Sequence, residues 1–181
     1  MSTAGEQMRA GAAVRSPTVD QVWSWLGQIP DPEIPVVSVI DLGIVRGVRR
    51  ERSGKGEELV VTVTPTYSGC PAMTAILVAI EGELRAKGVK ELRLERRLAP
   101  PWTTEWMSAE GRRKLKEFGI APPAEGGRAP FHFARFARRR APVCCPHCGS
   151  DRTERISEFG STPCKAQWRC QACLEPFDYF K

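Results

Sequence analysis

The sequence predicts a small α/β (α+β) fold, a two-layer sandwich on a mixed sheet, followed by a separate cysteine-held ribbon at the C-terminus. Three observations predict it. Amphipathic helical stretches alternate with β-branched runs over residues 18–121. A Pro-, Gly-, Ala- and Arg-rich stretch, 122–143, interrupts that pattern and reads as a linker. Beyond it, residues 144–181 hold six of the seven cysteines. A module of that length buries too little apolar surface to hold itself and needs a staple.

The elements follow in order. Val19, Val22, Trp23, Leu26 and Ile29 form one stripe at helical spacing, so residues 18–29 read as a helix. Pro30, Pro32 and Pro35 forbid its continuation and leave Asp31 to Ser38 extended or turned. Ile44 to Arg50 and Glu58 to Thr64 read as strands, joined by the turn Ser53-Gly54-Lys55-Gly56. An Ala-rich apolar helix then runs to about Gly88, with Cys70 as its N-cap and Pro71 at its first position, where a missing N–H costs nothing. Val89 to Arg96 is a third strand. Ser108 caps a short helix from Ala109 to Phe118, and Gly119 suits the left-handed residue that closes it. The Asp31–Ser38 segment or a partner chain is available to complete the sheet.

The net charge of +6 invites a nucleic-acid reading until it is placed along the chain. Residues 18–99 carry eleven basic and eleven acidic groups, 100–127 four of each and 144–181 five of each. Nearly all the surplus sits in 128–143, where Arg128, Arg135, Arg138, Arg139 and Arg140 face no acid. That is a local arm, interleaved with Phe131, Phe133 and Phe136, and not a basic face. A zinc-ribbon nucleic-acid binder is the alternative it leaves. The amino terminus shows no secretory signal and no stretch has the length of a membrane helix, so the expectation is a cytoplasmic protein whose cysteines serve metal ligation or thiol chemistry instead of disulfides.

Cys145-Pro-His-Cys148-Gly and Cys170-Gln-Ala-Cys173 are two knuckles separated by 21 residues. A two-residue gap lets both thiolates of a knuckle reach one ion, and four thiolates in a tetrahedral set favour structural zinc, with iron the main competitor. Cys144 adjoins a ligand. Cys164 reads as a buried small residue, a substitute ligand or a free thiol, and His147 as a turn residue.

Cys70 lies outside this cluster. At a helix start its thiol meets the positive end of the dipole and unpaired N–H groups, which favour a thiolate. The alternative is a small apolar plug. Asp31, Glu33 and Asp41 gather in the Pro-rich loop; if it folds back, carboxylates and a thiol share one mouth able to hold transient iron or a cluster. Otherwise they are turn-formers and solvated acids. With only His132 and His147 in the chain, both in or beside the linker, Cys-His nucleophilic catalysis is not expected.

Asp31-Pro-Glu33-Ile-Pro35 leading to Asp41-Leu-Gly43-Ile-Val45, followed by Thr66-Tyr-Ser-Gly-Cys70-Pro71, resembles the MIP/SufT-like family linked to iron–sulfur assembly. Together with Trp102-Thr-Thr-Glu-Trp106-Met-Ser108 and the terminal Phe177-Asp-Tyr-Phe-Lys181, the chain resembles one branch of it from about residue 18 to the end. That branch comprises accessory subunits of bacterial phenylacetyl-CoA 1,2-epoxidase systems in phenylacetate breakdown. The resemblance implies an accessory component that does not itself perform the epoxidation and that assists maturation of iron or iron–sulfur centres. It implies partners among the oxygenase, with its diiron centre, the reductase, with a [2Fe–2S] cluster and flavin, or iron–sulfur assembly proteins. It also carries over Asp31, Glu33, Asp41, Thr66 and Cys70 as an iron, cluster or client site. A general iron–sulfur assembly adaptor is a further alternative, and the oligomeric state stays open.

Overall fold

The computed structural model describes residues 16–54, 56–123 and 143–181. The basic arm and His132 therefore lie outside the described residues, as does most of the linker. Helix α1 (Val19–Leu26) opens with a reciprocal cap, in which Thr18 accepts from the Gln21 N–H and the Gln21 side chain accepts from the Thr18 N–H. Strands β1 (Val45–Ser53) and β2 (Gly56–Val63) form an antiparallel hairpin. Helix α2 (Ala72–Ala86) crosses over to β3 (Leu92–Arg96), which lies parallel to β2. The order β1-β2-β3 is thus one mixed three-stranded sheet.

The two faces of this sheet are covered differently. Leu59, Val61 and Val63 join Val22 and Leu26 of α1 and Met73, Ile76, Ile80 and Leu84 of α2 in one buried core. The opposite face carries a network of ion pairs in which Arg49 and Arg93 bridge Glu51, Glu58 and Glu95. Beneath those side chains Val60 and Thr62 are buried. Long charged residues here act as a lid for an otherwise wet β face.

The segment Asp31–Ser38 does not extend the sheet. It makes one isolated bridge, Pro30 to Ser38, because its prolines lack donors and side-chain carboxylates take its free N–H groups. The start of α2 also differs from the sequence reading. Pro71 occupies the cap position, with φ −67° and ψ −27°, and Cys70 precedes it; no side chain caps the helix.

After β3 a 3-10 turn (Thr104–Trp106) leads to α3 (Ala109–Glu117), capped by Ser108 accepting from the Gly111 N–H. Strand β4 (Ile120–Ala121) then pairs in parallel with the last strand of the chain, β7 (Pro176–Phe180), in a second sheet of order β4-β7-β6-β5, where β5 is Thr153–Ser157 and β6 is Lys165–Cys170. The residues just before the linker thus belong to the ribbon's sheet. Ribbon and sandwich also share a core: Ile120, Cys164 and Phe180 are buried in the same cluster as α1, α2 and β2. Phe180 is 1% exposed and meets Trp102 edge-on at 6.0 Å. No helix among the described residues is long and apolar enough to cross a membrane.

Candidate metal centre and inter-module cavity

The four cysteines of the knuckles converge. Their sulfurs all lie within 4.8 Å of one another, with Cys145 to Cys173 at 3.8 Å and Cys148 to Cys170 at 3.6 Å. A tetrahedral ion with metal–sulfur bonds of about 2.3 Å requires sulfurs about 3.8 Å apart, so the donor set fits zinc in type, number and spacing. Local backbone builds each knuckle. The residue after its second cysteine turns left-handed, Gly149 at φ 76° and Leu174 at φ 67°. The N–H groups of Ala172 and Cys173 point at the Cys170 sulfur at 3.3 and 3.5 Å. The Cys173 N–H, with help from Ala172 and the Cys148 thiol, holds the Cys170 pKa down to about 6. Cys144 is exposed. His147 lies against α3's end, its Cε1 3.2 Å from where a Cβ on Gly119 would stand. Gly119, at φ 89°, provides both the turn and that space.

The second constellation sits where sandwich and ribbon meet. A cavity of ≈ 10 Å³ is lined by Asp31, Glu33, Thr66, Cys70 and Cys164, with Met73, Ile76 and Phe180 among its apolar walls. That is room for about one water-sized ligand. Asp31 is buried, and its Oδ1 accepts from the N–H groups of Glu33 and Ile34 at 2.9 and 2.8 Å. Burial raises its pKa above the ordinary carboxylate value, against the pull of those two N–H groups and of Lys165. Cys70 is half-buried at the mouth of α2. Arg96 steadies the loop before it by donating to the Ser68 carbonyl at 2.7 Å.

Cys164, 7% exposed, lies with its sulfur 3.7 Å from Glu33 Oε2 and 3.0 Å from the Thr162 hydroxyl. Desolvation pushes its thiol up to about 11. The Tyr67 phenol is pushed up to about 12, first by burial and then by Cys70, with smaller contributions from Cys164 and Glu33. Its oxygen is shielded from solvent and has no hydrogen bond of good geometry.

Asp41 is absent from this lining. Its carboxylate accepts from the Ser38 N–H at 3.0 Å, the Ser108 hydroxyl at 3.0 Å and Lys114 Nζ at 2.7 Å, while its carbonyl accepts from the Ser108 N–H. Burial alone would raise its pKa, but these partners, Lys114 foremost, hold it below the ordinary value. The Asp41-Leu42-Gly43 turn is a docking seat. A Cβ on Gly43, whose φ is 65°, would stand 2.3 Å from the Trp106 carbonyl oxygen, and one on Gly111 2.8 Å from the Asp41 carbonyl oxygen. Trp102 Nε1 donates to the Leu42 carbonyl at 2.8 Å, and the Arg46 guanidinium stacks on Trp106 at 3.6 Å. The Trp-Thr-Thr segment and α3 are fastened here. The structure thus brings Asp31, Glu33, Thr66 and Cys70 to one cavity, sets Asp41 apart, and adds Cys164. A cysteine of the ribbon left over from a complete four-thiol set was the signal that could have found it.

Comparison with known proteins finds two family matches along the chain. Residues 132–181 match the PaaD zinc beta ribbon domain and residues 19–91 match the family described as iron-sulfur cluster assembly protein. The chain is 45% identical over 174 residues, 96% of this chain and 99% of the relative, to an Escherichia coli K12 protein named as the putative D component of 1,2-phenylacetyl-CoA epoxidase. It is 32% identical over 99 residues to an Fe-S protein maturation auxiliary factor of Porphyromonas gingivalis, covering 54% of this chain and 90% of that one. A crystal structure of a DUF59 domain from Bacillus anthracis aligns at TM-score 0.47 and 27% identity, over 54% of this chain and 90% of the other. The chain therefore belongs to the PaaD family of phenylacetyl-CoA epoxidase components, and joins an iron–sulfur assembly domain to a zinc β-ribbon.

Proposed function

We propose that this protein is the accessory subunit of a multicomponent phenylacetyl-CoA 1,2-epoxidase, and that it assists maturation of the iron or iron–sulfur centres of the oxygenase and reductase. The observation that carries this reading is the inter-module cavity, where Cys70 stands beside Glu33, Asp31 and Thr66 in an iron–sulfur assembly domain. The cavity, at ≈ 10 Å³, is not a site for an acyl-CoA thioester, and this reading assigns epoxidation to another component. A thiol and carboxylates around an ion-sized space are donors suited to iron as cargo. The ribbon holds zinc as a structural ion, with its four thiolates filling the coordination sphere and leaving no open position. Iron content of the co-expressed oxygenase and reductase tests the reading. Cells carrying Cys70→Ser should yield partner components depleted in iron; equal loading in both cultures would rule the assembly role out.

A further inference from the structure

We infer that Cys164, carried by the ribbon, is the second thiol ligand of the cavity that begins with Cys70, and that the completed site takes a single borderline-soft divalent cation. The inference deepens the proposed function and rests on its reading of Cys70 as an iron-handling residue.

Three observations carry it. Both cysteines line the same cavity although one belongs to the sandwich and the other to the ribbon. The Cys164 sulfur lies 3.7 Å from Glu33 Oε2, so a sulfur and a carboxylate oxygen already face each other across the junction. The Thr162 hydroxyl, 3.0 Å from the sulfur, is placed to donate to a thiolate, the role that outer-shell donors perform around metal ligands.

The volume decides the class of ligand. A space of ≈ 10 Å³ has room for about one water-sized ligand, which suits a single ion. Sulfur combined with carboxylate oxygen suits ferrous iron, cobalt(II) or zinc over magnesium or calcium, which take oxygen alone. The site is then incomplete without the ribbon. Phe180 and Cys164 seat the ribbon on the sandwich, and that seating completes the ligand set.

Cobalt(II), titrated anaerobically into the zinc-loaded full-length chain, is the probe. The wild type should bind one cobalt beyond its ribbon zinc, and X-ray absorption should count two sulfurs at that cobalt. Cys164→Ser and Cys164→Ala should each weaken this cobalt by more than about tenfold while zinc content stays at its wild-type level. The exposed Cys144→Ser should match the wild type. Undiminished cobalt binding in both Cys164 variants, a sulfur count of one at the wild-type cobalt, or no cobalt beyond the zinc would each overturn the inference. The sulfur count needs no variant to fold. Failure of the assembly reading itself is seen elsewhere, as unchanged partner iron with Cys70→Ser, and would leave a cobalt site intact.

Discussion

The two cysteine constellations of this chain differ in how their donors are brought together. In the ribbon, four sulfurs within 4.8 Å of one another supply every ligand a tetrahedral ion needs, and short-range backbone turns set each knuckle. In the inter-module cavity the donors are mixed, they come from the Pro-rich loop, the start of α2 and the ribbon, and long-range packing brings them together. A complete, locally built set holds its ion for the life of the fold. An assembled, mixed set would let an ion come and go, as the proposed iron-handling role requires.

The largest expected effect follows from the first half of that contrast. Cys145→Ser or Cys170→Ser should release the ribbon's metal and with it on the order of 10 kcal/mol of apparent folding free energy. Because Phe180 and Cys164 belong to the sandwich core, the loss should also lower the melting temperature of residues 18–121. Metal analysis beside calorimetry checks both parts. A metal-free ribbon over an unchanged sandwich melt would mean that the two modules are not energetically joined.

Phe180→Ala isolates the junction from the metal. The side chain is fully buried against Trp102 and the sandwich core, so its removal should cost about 3–5 kcal/mol with zinc retained. Denaturant unfolding with zinc analysis measures it, and a cost below about 1 kcal/mol would contradict a shared core.

Asp41→Asn should cost roughly 2–3 kcal/mol, because Lys114 and Ser108 lose a charged acceptor in a buried seat. The sign of its pH dependence is fixed by its pKa, held below the ordinary 3.8 in the fold. Its contribution is fully present above that ordinary value and is lost as pH falls through the lower folded value. Acid titration of stability should therefore be shallower in Asp41→Asn than in the wild type; parallel curves would show that Asp41 makes no such contribution.

The order of elements and the four-thiol cluster were legible in the sequence because both are written locally, in periodicity, proline positions and two-residue cysteine gaps. The role of Asp41 was not. Its motif neighbours suggested a ligand, whereas its partners Ser108 and Lys114 come from a helix 67 and 73 residues away. Cys164 was read as a small residue for burial, and it is buried, but its carboxylate partner Glu33, 131 residues away, was hidden for the same reason. Residues 120–121 read as the approach to a linker, yet a parallel pairing with β7 makes them a strand. Such contacts depend on how two modules dock, and a single sequence carries no periodic trace of that.

The smallest structural effect should accompany the most consequential functional one. Cys70→Ser changes volume little at a half-buried position, so its stability cost should stay below about 1 kcal/mol in thermal unfolding. A larger loss would favour the view of Cys70 as a packing plug.

Iron transfer tests the central claim most directly. Zinc-loaded protein, charged anaerobically with ferrous iron, would be mixed with metal-free oxygenase and the iron arriving on the oxygenase followed in time. The wild type should deliver it faster than free ferrous iron at equal concentration, and Cys70→Ser, with its zinc intact, should give no acceleration. Equal acceleration by both proteins would contradict the claim that this cavity handles the metal.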